Sequence, residues 1–384
     1  MKRINLLLIA CGVLLITLPA FSQCTLPASP SPATEDTTFD TFFQQNGPGW
    51  TGGDGSYSLL LPDGTDLWMW SDSYIGTVNP TTRLRSSDLF TAHNSLTIQN
   101  QTANTLTTVG YPPKTTSYFV PTTKNDFFWQ EANLLVEPSP GTYQIEIMLT
   151  QWSSSLKFVG ESVAIVDWPS YTIESITPVA HTSATIEWGS EIMLADDGYY
   201  YIYGIQNPPN DNKLPYVART TSLNYLTEPS QWTFWNATTG KWVTSQTDAT
   251  PLSGVKAITP GFSVDQMTAT TGTFYLMTGM NTLKPAYPLW NQVTTYYSCN
   301  PQGPWTNETV VYTTPEAGAP GCKEGNLVTY NPRAHAEFTD SSGILISYNV
   351  NALESGDLVC ANDYIPRFIR TAIPGVTDKG KRHH

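Results

Sequence analysis

Charge is scarce in this chain: Asp, Glu, Lys and Arg make up 13% of its 384 residues, and 19 basic residues face 32 acidic ones. The resulting net charge of −13 repels polyanions, so nucleic acid and anionic membrane surfaces are excluded as partners. Long apolar runs are missing too. After the stretch Ile4 to Pro19, nothing approaches the roughly 20 apolar residues a membrane span needs. Helical periodicity is scarce. No G-x-S-x-G elbow, H-E-x-x-H, P-loop or strand-borne G-x-G-x-x-G occurs, which removes the usual signals of serine hydrolases, zincins and nucleotide enzymes. Cysteine is limited to five, without the close Cys/His spacing of a zinc site.

The chain does begin with Lys2 and Arg3, an apolar stretch, and Ala20-Phe21-Ser22 with the small-x-small spacing of a signal-peptide cleavage site. Residues 1–22 are therefore expected to be an export signal. Removing them takes away Lys2 and Arg3 and lowers the charge to −15. A secreted or periplasmic protein is expected, with a lipid anchor at Cys24 disfavoured because Gln23 stands where a small residue belongs. Four cysteines would remain in an oxidising compartment, Cys24, Cys299, Cys322 and Cys360, and two disulfides are expected. Three pairings are open, of which Cys299–Cys322 with Cys24–Cys360 is favoured.

What the chain has in quantity is Thr, Tyr, Val, Ile and Trp, broken by 27 glycines and 29 prolines, which is strand and turn chemistry. Residues 23–38 read as a Pro/Ser/Thr-rich linker, 39–372 as one domain, and 373–384, ending KGKRHH, as a disordered tail. Aligned against itself, the chain repeats one unit five times, at residues 53–76, 129–152, 188–205, 262–280 and 333–350. Each unit has an acid, a short apolar strand, a turn glycine (Gly64, Gly141, Gly198, Gly272, Gly343) and a second strand rich in aromatic and aliphatic residues. The acids Asp54, Glu131, Glu191, Asp265 and Glu337 are spaced by 77, 60, 74 and 72 residues, room in each interval for a four-stranded sheet. A single-domain, all-β fold is expected, a five-bladed β-propeller whose acids converge on a central channel.

Convergent carboxylates can cleave glycosides, where one acid protonates the leaving oxygen and a second acts as nucleophile or activates water. Asp54 lies between Gly53 and Gly55, and Asp72 follows the second strand of the same hairpin, so a turn at Gly64 brings the two together. Asp54, Asp72 and Glu191 are the catalytic candidates, in that order. Glu131, Asp265, Glu337, His335 and Arg333 are expected to bind substrate or set protonation, with Trp70 and Trp188 as stacking platforms alongside Trp50 and Trp129. Core filling is the competing use for each tryptophan. His335 and Glu337, two residues apart on a strand, should face the same side. No cofactor is expected, although an acidic channel could hold a structural calcium. A monomer acting on a neutral polysaccharide fits the composition.

The run Asp54-Gly55-Ser56-Tyr57-Ser58, Pro62-Asp63-Gly64 and Leu67 through Gly76 resembles the opening blade of a bacterial family first catalogued as a domain of unknown function. That family now includes endo-D-arabinanases. Further matches are Tyr199 to Gly204, Tyr216 to Arg219 and Tyr330 to Glu337, and the likeness spans residues 40–370. It implies a five-bladed propeller that hydrolyses a furanose polymer of the mycobacterial cell wall, with the family's paired aspartates falling on Asp54 and Asp72. The family's second aspartate usually follows Gly and precedes Thr; here Ser71 and Ser73 flank it. Hydrolysis of another furanoside such as L-arabinan, or glycan binding without cleavage, remain the alternatives.

Overall fold

The computed structural model describes residues 24–86, 90–112, 116–180, 185–206, 213–283, 285–323 and 325–376. The expected export signal and the basic tail from 377 onward lie outside them. The fold is all-β, with one helix, Thr37–Phe43, and five short 3-10 turns among the described residues.

The five repeated units are the first hairpins of five successive antiparallel sheets. Their first strands are Tyr57–Leu60, Phe127–Ser139, Ile186–Leu194, Ser263–Ala269 and Leu327–Asp340, belonging to sheets one to five in that order. All five turn glycines have positive φ, from +79° to +120°, a conformation that side-chain-bearing residues rarely adopt. Sheets one to four then grow strand by strand in sequence order, and sheet five does so for three strands before taking its fourth from the N-terminal segment; sheet three reaches five strands and the others four. A separate three-stranded sheet, Gly49–Gly53, Ser73–Gly76 and Phe90–Ala92, flanks sheet one. The first strands touch in a cycle, one on two, two on three, three on four, four on five and five back on one.

The segment expected to be a linker is built into the fold. Thr34–Glu35 forms the outermost strand of sheet five, paired with Ile365–Thr371 from the other end of the chain. Ser31 and Ala33 donate backbone N–H groups to Ala372 and Val311, and Leu26 packs on the core of sheets four and five. Low local hydrophobicity misleads here, because main-chain pairing holds the segment. The helix that follows carries Asp36 as its N-cap, which accepts from the Thr38 and Phe39 amides and binds Arg370 at 2.6 Å. It inserts Phe43 into a buried cluster with Trp50, Trp68, Trp70 and Phe368.

The disulfide pairing also differs from the favoured one: Cys24 joins Cys299, and Cys322 joins Cys360. The N-terminal segment runs beside sheet four, where the Tyr297 hydroxyl donates to Ala28 O, so Cys24 meets Cys299. Cys322 is drawn to Cys360 because the loop before Leu327 folds over the 357–363 turns. There the Asp357 carboxylate accepts from the Lys323 and Gly325 amides, and Asp363 from that of Cys322. Two disulfides fit an oxidising compartment. No helix among the described residues is long and apolar enough to cross a membrane.

Candidate active site

Asp54 sits in the loop between Gly49–Gly53 and Tyr57–Leu60, and the backbone fixes it against Asp72. The Asp54 amide donates to Asp72 O at 3.2 Å, and the Ser71 amide donates to Asp54 O at 2.7 Å. The glycine at 55 is required, since its φ is +90° and a Cβ there would approach the Ser71 nitrogen to 3.0 Å. The Tyr330 hydroxyl donates to Asp54 Oδ2 at 2.6 Å and in turn accepts from Asn351 Nδ2 at 3.1 Å. Asp54 Oδ1 is shielded from solvent. Burial first, then the charge of Asp72, raise the Asp54 carboxyl to about 7, against the opposing effect of the Tyr330 and Tyr364 hydroxyls.

Asp72 is the exposed member of the pair, its side chain 46% accessible. Its Oδ1 accepts from Trp129 Nε1 at 3.0 Å and contacts His93 Nδ1 at 2.9 Å, while the Tyr364 hydroxyl donates to its backbone oxygen. His93 stacks on Phe127 with ring centroids 4.0 Å apart, and Trp129 packs against Phe127 and Trp152. Asp72 thus stands on an aromatic rim partly open to solvent.

Deeper in, four sheets meet on one guanidinium. Arg333, fully buried, donates Nη2 to Glu191 Oε2 at 2.6 Å and Nη1 to the carbonyls of Ser190 and Phe262. Its Cζ lies 3.6 Å from the centroid of the Tyr57 ring. The Tyr57 hydroxyl donates to Glu131 Oε2 at 2.5 Å, which brings in sheet two, the remaining one. Burial is the main cause that raises Glu131 to about 7, opposed by Tyr57 and Arg333. Trp129 and Glu131, two apart on one strand, face the same side, which is why one reaches Asp72 and the other Tyr57.

Irregular strands make this convergence possible. The pairing shifts register between Tyr330 and Arg333, around Asn331 at φ +47°, so two residues three apart both reach the centre. A similar shift falls between Trp188 and Glu191, at Gly189 with φ +117°.

The expected residues therefore divide. Asp54 and Asp72 are neighbours, and Glu131, Glu191 and Arg333 share the deeper network. His335 and Glu337 both reach Ser58, but between sheets one and five: His335 is fully buried between Ser58 and Ser347, with Trp68 and Phe338 beside its ring. It is a packed polar group of the sheet interface and offers no surface to a ligand. Asp265 is buried within Ser263–Ala269. Trp70 and Trp188 are corrected from platforms to core. Trp70 is fully enclosed, packed against Trp50 and Trp68 and donating to Thr97; Trp188 packs on Trp232 and Phe234. Trp50 is equally buried, leaving Trp129 as the accessible one of the four. Tyr330, Tyr364 and His93 received no site role from the sequence; Tyr330 could have been found, since it opens the family-like stretch Tyr330 to Glu337 that carries Arg333.

The Arg333 guanidinium stands at the centre, where a structural calcium was the sequence-based alternative. Among the described residues one group has metal-ligand spacing, Cys322, Cys360 and Asp363, and its two sulfurs are in a disulfide.

Residues 36–373 match the family catalogued as Domain of unknown function (DUF5005), and the chain belongs to it. None of the curated proteins matches. Among solved structures, a protein from Bacteroides ovatus, named only provisionally as a hydrolase, is 20% identical with a TM-score of 0.70, covering 88% of this chain and 90% of its own; the two share a fold. An enzyme of the GH43_1 group from Xanthomonas citri is 14% identical with a TM-score of 0.47, over 89% of this chain and 90% of that one. An endo-arabinase from Bacteroides thetaiotaomicron is 12% identical with a TM-score of 0.44, over 85% and 95%.

Proposed function

We propose that this member of the DUF5005 family is an exported, monomeric glycoside hydrolase on a five-bladed propeller, cutting arabinofuranose polymers with Asp54 and Asp72 as its carboxylate pair. The cycle of contacts among the five first strands supports the propeller. The observation that carries the activity is the pair itself. Two carboxylates lie side by side in unlike surroundings, one buried and pushed up to about 7, the other exposed and held by an indole and an imidazole. Glycoside hydrolysis needs a carboxyl that keeps its proton near neutrality, as burial allows Asp54 to do, beside a second carboxyl group that can reach the sugar.

In this reading Asp54 donates the proton to the leaving oxygen. Asp72 acts on the sugar carbon, directly or through water, held in place by Trp129 and His93. Glu191 is committed to Arg333, so the pair positions the centre of the ring, and Glu131 offers its carboxyl to sugar hydroxyls. No cofactor is required. The choice of D-arabinan as substrate rests on the first-repeat resemblance, Asp54 through Gly76. The protein from Bacteroides ovatus that shares the fold is itself named provisionally as a hydrolase.

Incubating the purified protein with mycobacterial arabinogalactan, L-arabinan and galactan tests the proposal. Oligosaccharides are expected from the D-arabinofuranose polymer. Release from L-arabinan alone would move the substrate while keeping the chemistry, and release from no furanose polymer would overturn the activity in favour of a glycan-binding module.

A further inference from the structure

The loop joining Gly272–Met280 to Gln292–Ser298 in sheet four carries Tyr287, 63% exposed. Its ring meets that of Trp290 edge-on with centroids 5.2 Å apart, and Trp290 is buried. A solvent-facing aromatic ring is thus braced by one belonging to the core. Both line a cavity of about 570 Å³, within the usual range of small-ligand sites, together with Tyr330, Asn331 and Asn351.

This cavity shares a wall residue with the surroundings of the acid pair. Tyr330 lines it and donates to Asp54, and Asn351 lines it and donates to Tyr330. Its lining contains no carboxylate and one cation, Lys213, in a chain of net charge −13, and its other polar side chains are the amides of Asn331 and Asn351 and the hydroxyls of Tyr287, Thr329 and Tyr330. Such groups both donate to and accept from neutral hydroxyls, while an exposed tyrosine face suits the apolar side of a sugar ring. Sheet one touches sheet two on one side and sheet five on the other. Trp129, on sheet two, donates to Asp72, and Tyr330, on sheet five, donates to Asp54, so the two reach the pair from the sheets on either side of sheet one, Tyr330 doing so from the wall of the Tyr287 cavity.

We infer that the Tyr287 cavity is a second arm of the substrate cleft, binding neutral sugar units of a glycan chain on the side of Asp54 away from Trp129. This rests on the glycan reading of the acid pair and adds that the chain passes through the site and is cut internally. Tyr287 is the stacking platform, and Asn331 and Asn351 bind hydroxyls.

The test compares parent, Tyr287→Ala and Tyr287→Phe, with two readouts. One is the ratio of kcat/KM on an arabinan polymer to that on a short aryl arabinofuranoside; the other is retardation in gels containing the polymer. For Tyr287→Ala the ratio falls about tenfold and retardation weakens, while Tyr287→Phe, which keeps the ring, restores both. If the parent hydrolyses nothing yet is retarded, loss of retardation in Tyr287→Ala upholds the arm and sinks the hydrolase. A parent-like ratio with parent-like retardation in Tyr287→Ala, or a parent neither active nor retarded, overturns the arm.

Discussion

Asp54 is a residue whose position costs stability and whose chemistry explains why the cost is tolerated. Its folded carboxyl stands at about 7 against an ordinary 3.8, so the folded state binds a proton that the unfolded chain has released between those values. Stability contributed by that proton is complete below about pH 4 and is lost as pH rises through 7. Asp54→Asn, neutral at every pH, should therefore be more stable than the parent at pH 8 by about 1–2 kcal/mol, with the gap closing towards pH 4. Denaturant midpoints at the two pH values check this, and a variant no more stable at pH 8 would show that the carboxyl is not strained by burial. At this scale the pair was legible because glycines frame Asp54 and the hairpin length places Asp72. His335, Trp70 and Trp188 were not, because a buried polar or aromatic residue and a ligand-binding one obey the same strand alternation. Only the neighbours that close over them, Trp68, Phe338, Trp232 and Phe234, decide the matter.

The hairpin is the element that the sequence displays most openly. Five glycines at positive φ mark the turns, and acid-led strands mark the approach to the centre. What alternation could not reveal is the register shift at Asn331 and at Gly189, which turns Tyr330, Arg333 and Glu191 inward. The N-terminal segment was equally hidden, since Thr34–Glu35 is a strand only by virtue of pairing with Ile365–Thr371. Its closure depends on Cys24–Cys299, which spans 275 residues of sequence. Replacing both cysteines by alanine should lower unfolding stability by about 2–4 kcal/mol. Faster amide exchange should appear first at residues 24–35, with glycan cleavage retained at permissive temperature. Unchanged exchange there would mean that the strand pairing alone holds the closure.

Across the whole molecule, the five repeats announced five antiparallel sheets, and the acids marked the first strand of each or the loop before it. The five acids do not form one cluster. Arg333 and Tyr57 occupy the centre and tie Glu191 and Glu131 to it, while Asp54 and Asp72 stand apart on an aromatic rim with Tyr330 and Trp129. This division between a cross-linked centre and an aromatic rim could not be read from spacing, because it depends on how five sheets meet. Whether the rim pair breaks glycosidic bonds is decided by the rate of reducing-end release from D-arabinan by the parent, Asp54→Asn and Asp72→Asn at matched concentration and pH. Parent turnover is expected, with each variant slower by about a thousandfold or more while still retarded by the polymer. Variants that cleave as fast as the parent would contradict the claim and move the chemistry elsewhere in the ring.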